Sequence, residues 1–342
     1  MADSRRVLLI SYPRSASNLL VRMLGLDDQP DVSRNQSRGY HLKEMALLSL
    51  EGNLWDKPLG QWGDNEQRLR QAALDGFDAL EKTRAAGDSQ GKITFIKEHA
   101  TFLTDPNVIS DFIFGQANAK GKRWRIDETG SENMKAPDGY SPLNDTMFSD
   151  AYLRQWTLAF IVRHPALAFP SLYRIRLNDM PDNEFPKGAA NHLLVYMTIR
   201  WSRRLYDLAT ELNERNRNGA ASENGISSRP LVLDADDVIA NPQVVETFAA
   251  LLGLDPDRVR SSWAPITQEQ KERLSARGQI MLSTLNASNG IIPDKSAASI
   301  SITAEAKKWV EEFGLARAQQ LEKWVRDAMP DYEYLKERRL RL

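Results

Sequence analysis

The sequence predicts an α/β protein, a parallel β-sheet flanked by helices, with a mostly helical C-terminal part. Three observations lead there. Four short apolar runs, at residues 7–10, 92–99, 157–162 and 231–233, have the β-branched and bulky composition of buried strands. Stretches with helical apolar spacing lie between and after them, and such alternation calls for a parallel sheet covered by helices. Each run also leads into side chains capable of chemistry: Arg14 and Ser15, then Lys97 and His99, then Arg163, then Asp234 and Asp236. Open parallel sheets bind ligands at the C-terminal ends of their strands, so four such ends suggest one anionic ligand.

Composition narrows the class. The chain has 342 residues, 45 basic against 46 acidic, and 42% are hydrophobic. That length supports one large α/β domain or two ordinary ones, and the chain is taken as a single domain over 1–342 with a helical extension over 256–342 packed on it. A balanced charge speaks against nucleic-acid or membrane-surface partners, which would leave a basic excess. With no cysteine and four histidines in no paired-ligand spacing, a metal centre is not expected. The N-terminal apolar run is too short for a signal or membrane segment, so a cytoplasmic protein is expected.

Along the chain, the first run feeds the small, polar stretch 12–18, and helical spacing follows at Leu19, Leu20, Met23 and Leu24. Ser15, Ser17 and Asn18 are the residue types that cap helices. Residues 25–60 read as irregular, with a short helix over 42–48 and Trp55 and Trp62 pinning loop to body. An amphipathic helix is expected over 65–86 and another over 108–118, with a polar loop or lid over 120–144. A helix should follow the third strand through Ile175, with Pro170 near its start. A long helix is expected over 187–217, helical patterns over 267–285 and 304–329, a helix over 242–252 closing at Gly253, and a mobile polar stretch over 216–228. A turn is expected at Ser288, Asn289 and Gly290.

Lys97 and His99 stand two apart at a strand end, so they share one face with Glu98 on the other. A neutral imidazole beside a cation suits proton abstraction near neutral pH. A surface strand end with solvated charges fits the same residues. The stretch at 7–24 can likewise be an ordinary strand–loop–helix unit. It is not a Walker A loop, since GxxxxGK[ST] is absent and the loop holds no glycine. Asp234, Asp236 and Asp237 fit strand-end capping as well as a magnesium site. His164 reads as a turn or cap residue and His192 as surface or core.

The loop at 12–18 resembles the 5′-phosphosulfate loop of the sulfotransferases that use 3′-phosphoadenosine 5′-phosphosulfate (PAPS). Pro13, Arg14, Ser15 and Ser17 match the family pattern, while Ala16 stands in place of a glycine and Asn18 in place of a hydroxyl residue. The segment 97–99 resembles the family's Lys-Thr-His, and 163–173 its 3′-phosphate segment, with Ser171 eight residues after Arg163. Residues 231–254 are similar to the family's Tyr-Glu-Asp-Leu strand and following helix. Leu19 occupies a position where cytosolic members often have tryptophan. The family's last cofactor segment is absent in its usual form, with Ser288 to Lys295 as its counterpart or a plain turn.

The resemblance implies the P-loop-like sulfotransferase fold and transfer of a sulfuryl group from PAPS to a hydroxyl of a small acceptor, leaving adenosine 3′,5′-bisphosphate (PAP). It implies His99 as base, Arg14 and Lys97 as charge-stabilising groups, and Arg14, Ser15, Ala16, Ser17, Asn18, Leu19, Arg163 and Ser171 as donor contacts. Glu98 or His41 would be the next candidates for the base. Residues 30–65, 120–150 and 174–190 would line the acceptor pocket. A nucleotide-binding relative with lost or repurposed chemistry, and a P-loop kinase, are the alternatives. The oligomeric state is open, with a homodimer among the options.

Overall fold

A computed structural model describes residues 5–34, 40–115, 123–126, 139–178, 189–217, 229–293, 296–297 and 300–342. Five parallel strands form one sheet: β1 (Arg6–Ser11), β2 (Val32–Ser33), β3 (Ile93–His99), β4 (Thr157–Val162) and β5 (Leu231–Asp234), in the order β2-β3-β1-β4-β5. β1 pairs with β3 on one side and β4 on the other, and β2 extends the sheet beyond β3. The register sets Ser11 opposite His99. Leu8, Leu9 and Ile10 are almost fully buried, as a central strand covered on both faces requires.

In chain order the helices are α1 (Ser17–Met23), α2 (Lys43–Glu51), α3 (Asp64–Ser89), α4 (Ala100–Leu103), α5 (Pro106–Phe114), α6 (Asp150–Leu153), α7 (Pro165–Asn178) and α8 (Ala189–Tyr196). They continue as α9 (Arg200–Arg217), α10 (Ala235–Ala240), α11 (Pro242–Leu252), α12 (Gln268–Glu272), α13 (Ala276–Met281), α14 (Ser283–Ala287), α15 (Ile302–Phe313) and α16 (Leu315–Glu337).

The chain divides into two compact units. The first takes Met1–Tyr12, Asp31–Phe160 and Phe185–Leu231. Within it α3 lies along β3, burying Leu69, Ala73, Phe77 and Leu80. The two tryptophans pin the loop before α3 as expected. Trp55 and Trp62 are buried edge to face with centroids 5.0 Å apart, and Trp62 Nε1 donates to the Leu54 carbonyl at 2.7 Å. Asp105 caps α5 by accepting the Asn107 amide at 2.9 Å, and its other oxygen accepts the Trp124 amide.

The second unit takes Pro13–Pro30, Ile161–Glu184 and Val232–Leu342. Here α16 packs on both α7 and α15. Asp234 ends β5 and caps α10, accepting the Asp236 amide at 2.8 Å, while Tyr332 of α16 donates to its other oxygen at 2.8 Å. Past α16, the Leu340 amide donates to the Val232 carbonyl of edge strand β5 at 2.8 Å. No helix among the described residues is long and apolar enough to cross a membrane.

Three helical stretches each divide into separate helices, the first where a single long helix was expected. The pattern over 187–217 divides into α8 and α9, because Trp201 Nε1 takes the Val195 carbonyl and Thr198 Oγ1 accepts the Arg200 amide, starting a new helix. The stretch 267–285 becomes α12, α13 and α14, each short, with Thr267 closing a capping box on Gln270. The third pattern breaks at Gly314, whose φ of 81° and ψ of 160° are open to glycine alone. Its second half runs through Pro330 to Glu337, since the buried stripe of Trp324, Val325, Ala328, Tyr332 and Leu335 continues past the proline. β2, only two residues long, lies below the length at which periodicity shows. The lid expected over 120–144 falls largely outside the described residues, as do 35–39, 179–188 and 218–228.

Candidate active site

The chain after β1 turns sharply. Arg14 and Ala16 both hold left-handed conformations, φ 68° and 67°, with Ser15 between them. A non-glycine residue there costs roughly 1–2 kcal/mol, and such strain concentrates at ligand-clamping positions. Ala16 also occupies the N-cap position of α1, and no side chain among the described residues caps that helix. The capping roles expected of Ser15, Ser17 and Asn18 are therefore not taken up. Ser15 is 0% exposed and its Oγ has no hydrogen-bond partner among the described residues. A buried hydroxyl left so costs about 1–3 kcal/mol. A strained turn carrying an unsatisfied inward hydroxyl fits a loop built to receive the oxygens of an anion.

Around this loop the second unit gathers the predicted donor residues. Arg14 Nε donates to Ser171 Oγ of α7 at 2.9 Å, and its Nη1 donates to the Met281 carbonyl at the end of α13 at 2.5 Å. Arg163, the residue after β4, donates to the Arg14 carbonyl at 3.1 Å. Arg14, Arg163 and Ser171 thus form one connected group. Ser17 is buried in α1, while Asn18 and Leu19 are half-buried on it.

In the first unit Lys97 and His99 share one face of β3 and Glu98 takes the other, as the two-residue spacing predicts. His99 is held at both ring nitrogens. Its Nδ1 lies 2.9 Å from Ser11 Oγ, and its Nε2 lies 3.3 Å from the Tyr40 hydroxyl. Phe102 packs its edge against the imidazole at 4.9 Å between centroids. Burial, then the nearby Lys97 cation, pull the His99 pKa down to about 3, partly opposed by Ser11. The imidazole is consequently neutral at physiological pH. Lys97 is itself buried, with Nζ 4.4 Å from the centre of the Tyr40 ring.

Glu98 is fully buried, and its Oε1 accepts the amides of His41 and Leu42 at 2.5 and 3.1 Å. Burial pushes its pKa up to about 8, against the opposing pull of those two amides and of Lys97. It braces the segment ahead of α2. His41, the other reserve base, sits with Nε2 3.0 Å from Thr83 Oγ1. Beside the His99 turn, Trp55, Thr101, Phe102 and Tyr196 help line a cavity of about 20 Å³, room for roughly one water.

The remaining candidates take structural places. His164 Nδ1 accepts the Ala166 amide at 3.1 Å, a cap at the start of α7, and burial lowers its pKa to about 4. His192 is buried on α8. Among the described residues no three His, Asp or Glu side chains cluster as a metal site. The turn at Ser288–Gly290 closes on 261–263: Trp263 Nε1 donates to Ser288 Oγ at 3.2 Å, and a Cβ on Gly290 would meet the Ser261 carbonyl at 2.8 Å. Lys295 lies outside the described residues. Ser11 and Tyr40 were not singled out by the sequence. Ser11 reads as the last residue of a strand, and Tyr40 lies in an irregular stretch with no periodicity to orient it.

No protein-family model matches the chain. It is 36% identical over 338 residues to the "Sulfotransferase ppzF" of Metarhizium rileyi (strain RCEF 4871), covering 98% of this chain and 96% of that protein. The "Sulfotransferase ppzF" of Metarhizium majus (strain ARSEF 297) is 35% identical over 340 residues, covering 98% and 97%. Among solved structures, a sulfotransferase domain from the Synechococcus PCC 7002 olefin synthase aligns over 94% of this chain and 95% of its own, at 14% identity and a TM-score of 0.39.

Proposed function

Because the chain belongs to the sulfotransferases, we propose that it moves the sulfuryl group of PAPS to a hydroxyl of a small-molecule acceptor, with His99 as base. The observation that carries the donor assignment is the Ser15 loop: a buried hydroxyl with no partner among the described residues, between two left-handed non-glycine residues. Such a loop suits a phosphosulfate better than it suits an empty turn. When bound, the donor supplies an activated sulfuryl group on a bisphosphate leaving group.

The chain's own residues then divide the work. Arg14, Ser15, Ala16, Ser17 and Asn18 hold the 5′ end of the donor, with Leu19 behind them. Arg163 and Ser171 hold its 3′-phosphate, and the Arg14–Ser171 hydrogen bond lets one ligand engage both groups. His99 takes the acceptor's proton, kept neutral by burial and by Lys97. Arg14 and Lys97 stabilise negative charge as it grows in the transition state, a task for which losing one donor costs about a hundred- to a thousandfold in rate. The enzyme acts in the cytoplasm on a small hydroxylated compound, without metal, nucleic acid or membrane.

Thermal unfolding with PAP, against ADP and against ATP–Mg²⁺, tests this. PAP at a hundred times its dissociation constant adds about 2.7 kcal/mol. A melting shift with PAP and none with ATP–Mg²⁺ is the expected result. A shift with ATP–Mg²⁺ alone would overturn the reading in favour of phosphoryl transfer.

A further inference from the structure

We infer that Tyr40 is a catalytic residue of the transfer, relaying the acceptor's proton to His99. The inference rests on the base role proposed for His99 above.

The hydrogen-bond pattern around the imidazole fixes its tautomer. Ser11 Oγ lies 3.2 Å from the Glu98 carbonyl, which can only accept, so the serine hydroxyl donates there. The same oxygen is 2.9 Å from His99 Nδ1 and is left to accept from it. Nδ1 therefore carries the ring proton, and Nε2 offers its lone pair. The group in front of that lone pair is the Tyr40 hydroxyl, at 3.3 Å. An acceptor hydroxyl has to deal with Tyr40 before it can deal with His99.

Tyr40 is held as a working side chain rather than as filler. Its ring tilts 51° against the imidazole with centroids 4.8 Å apart, and meets Phe102 edge-on at 5.9 Å. The amides of the next two residues, His41 and Leu42, are fixed by the buried Glu98 carboxyl. The Lys97 cation lies 4.4 Å from the ring centre. A cation over an aromatic face favours electron density in the ring, so it eases the build-up of negative charge on the phenol oxygen as the proton leaves. Lys97 thereby supports the relay as well as the transfer.

The step balances as follows. The acceptor O–H bond breaks and its proton goes to Tyr40 Oη, while Tyr40's own proton passes to His99 Nε2. The acceptor oxygen's freed electron pair forms the new bond to sulfur. The bond from sulfur to the bridging phosphate oxygen breaks with its pair remaining on the bisphosphate. Tyr40 ends neutral, and His99 ends as imidazolium.

Two measurements test the relay. The first is long-range ¹H–¹⁵N spectroscopy of the four histidines, in the parent chain and in Tyr40→Phe and Ser11→Ala. The parent should show His99 protonated at Nδ1. Tyr40→Phe, which keeps the ring, should shift the Nε2 resonance and leave Nδ1 in place, and Ser11→Ala should admit the other tautomer. The second is turnover of PAPS with 2-naphthol as probe alcohol, where Tyr40→Phe should lower kcat on the order of a hundredfold with little change in KM. A parent imidazole protonated at Nε2, or an Nε2 signal indifferent to Tyr40→Phe, overturns the relay. So does an equal or higher kcat in Tyr40→Phe, which would make the phenol a mere occupant of the acceptor's place. Failure of the parent to bind PAP would instead overturn the sulfotransferase mechanism, and the relay with it.

Discussion

Arg163 donates a 3.1 Å hydrogen bond to the backbone carbonyl of Arg14, a residue held at φ 68°. A cation following one strand thus braces the strained turn that follows another. Arg163→Ala removes the brace and a positive charge together. PAP stabilisation measured by thermal shift should disappear in that variant, and Arg163→Lys, which keeps the charge but loses the planar fork, should recover only part of it.

Ser15→Ala should act in opposite directions on stability and on binding. The change removes a buried hydroxyl that has no partner among the described residues, so the ligand-free protein should unfold at the same temperature or slightly higher. PAP affinity should fall about tenfold to a hundredfold, the worth of one hydrogen bond to a charged group. Paired calorimetric titration and thermal melts read both. A loss of stability without loss of affinity would mean that the hydroxyl serves the fold.

Ala16→Gly should stabilise the chain. Ala16 sits at φ 67° and ψ 15°, where glycine pays no steric penalty. Set against glycine's greater freedom when unfolded, a net gain of about 0.5–1 kcal/mol is expected, or roughly 1 °C for a chain this long. The same substitution should leave PAP binding within a few-fold, since the loop shape is already that of the glycine form.

The Glu98 pKa, raised by burial to about 8, sets a pH dependence. Between its ordinary value near 4.5 and about 8, the folded chain holds a proton that the unfolded chain has released. Stability therefore falls as pH rises through that window. His99 and His164, lowered to about 3 and about 4, work the other way, since the unfolded chain binds their protons first as pH falls below 6.5. At pH 6.5 the unfolded histidines are still half-protonated and offset Glu98, so the range from about pH 7.5 to 8.5 isolates it from them. Melting temperatures should decline across it, and Glu98→Gln, which can still accept the His41 and Leu42 amides, should flatten the decline.

Tyr332→Phe should cost about 1–3 kcal/mol, because it takes a donor from the buried Asp234 carboxyl. Burial already raises the Asp234 pKa, and the Tyr332 hydrogen bond opposes that rise. Without the phenol the carboxyl holds its proton more strongly, so the destabilisation should grow as pH rises from 5 to 8. Urea unfolding at the two pH values checks both the cost and its direction.

The sequence made legible whatever depends on local pattern. β1, β3, β4 and β5 declare themselves as apolar runs, and Pro242 and Gly253 mark both ends of α11. The alternation at Lys97, Glu98 and His99 correctly separates their faces. What stayed hidden depends on contacts distant in the chain. The break between α8 and α9 comes from an indole reaching back to a carbonyl, and α16 survives Pro330 through its packing. Ser11 and Tyr40 reach His99 from positions 88 and 59 residues away, with no motif to announce them. The left-handed Ala16 was half visible: its place in the loop could be read, but its dihedral could not.

The bond from the Leu340 amide to the Val232 carbonyl has a practical side. β5 closes the sheet at that edge, and an uncovered strand edge is a template for pairing with another molecule. The residues after α16 therefore act as a guard rail against self-association. A purification handle fused close behind Leu340 would pull on that rail, whereas the same handle ahead of β1 would leave it alone. Solubility and aggregation onset in the two formats would differ for a reason unrelated to sulfuryl transfer.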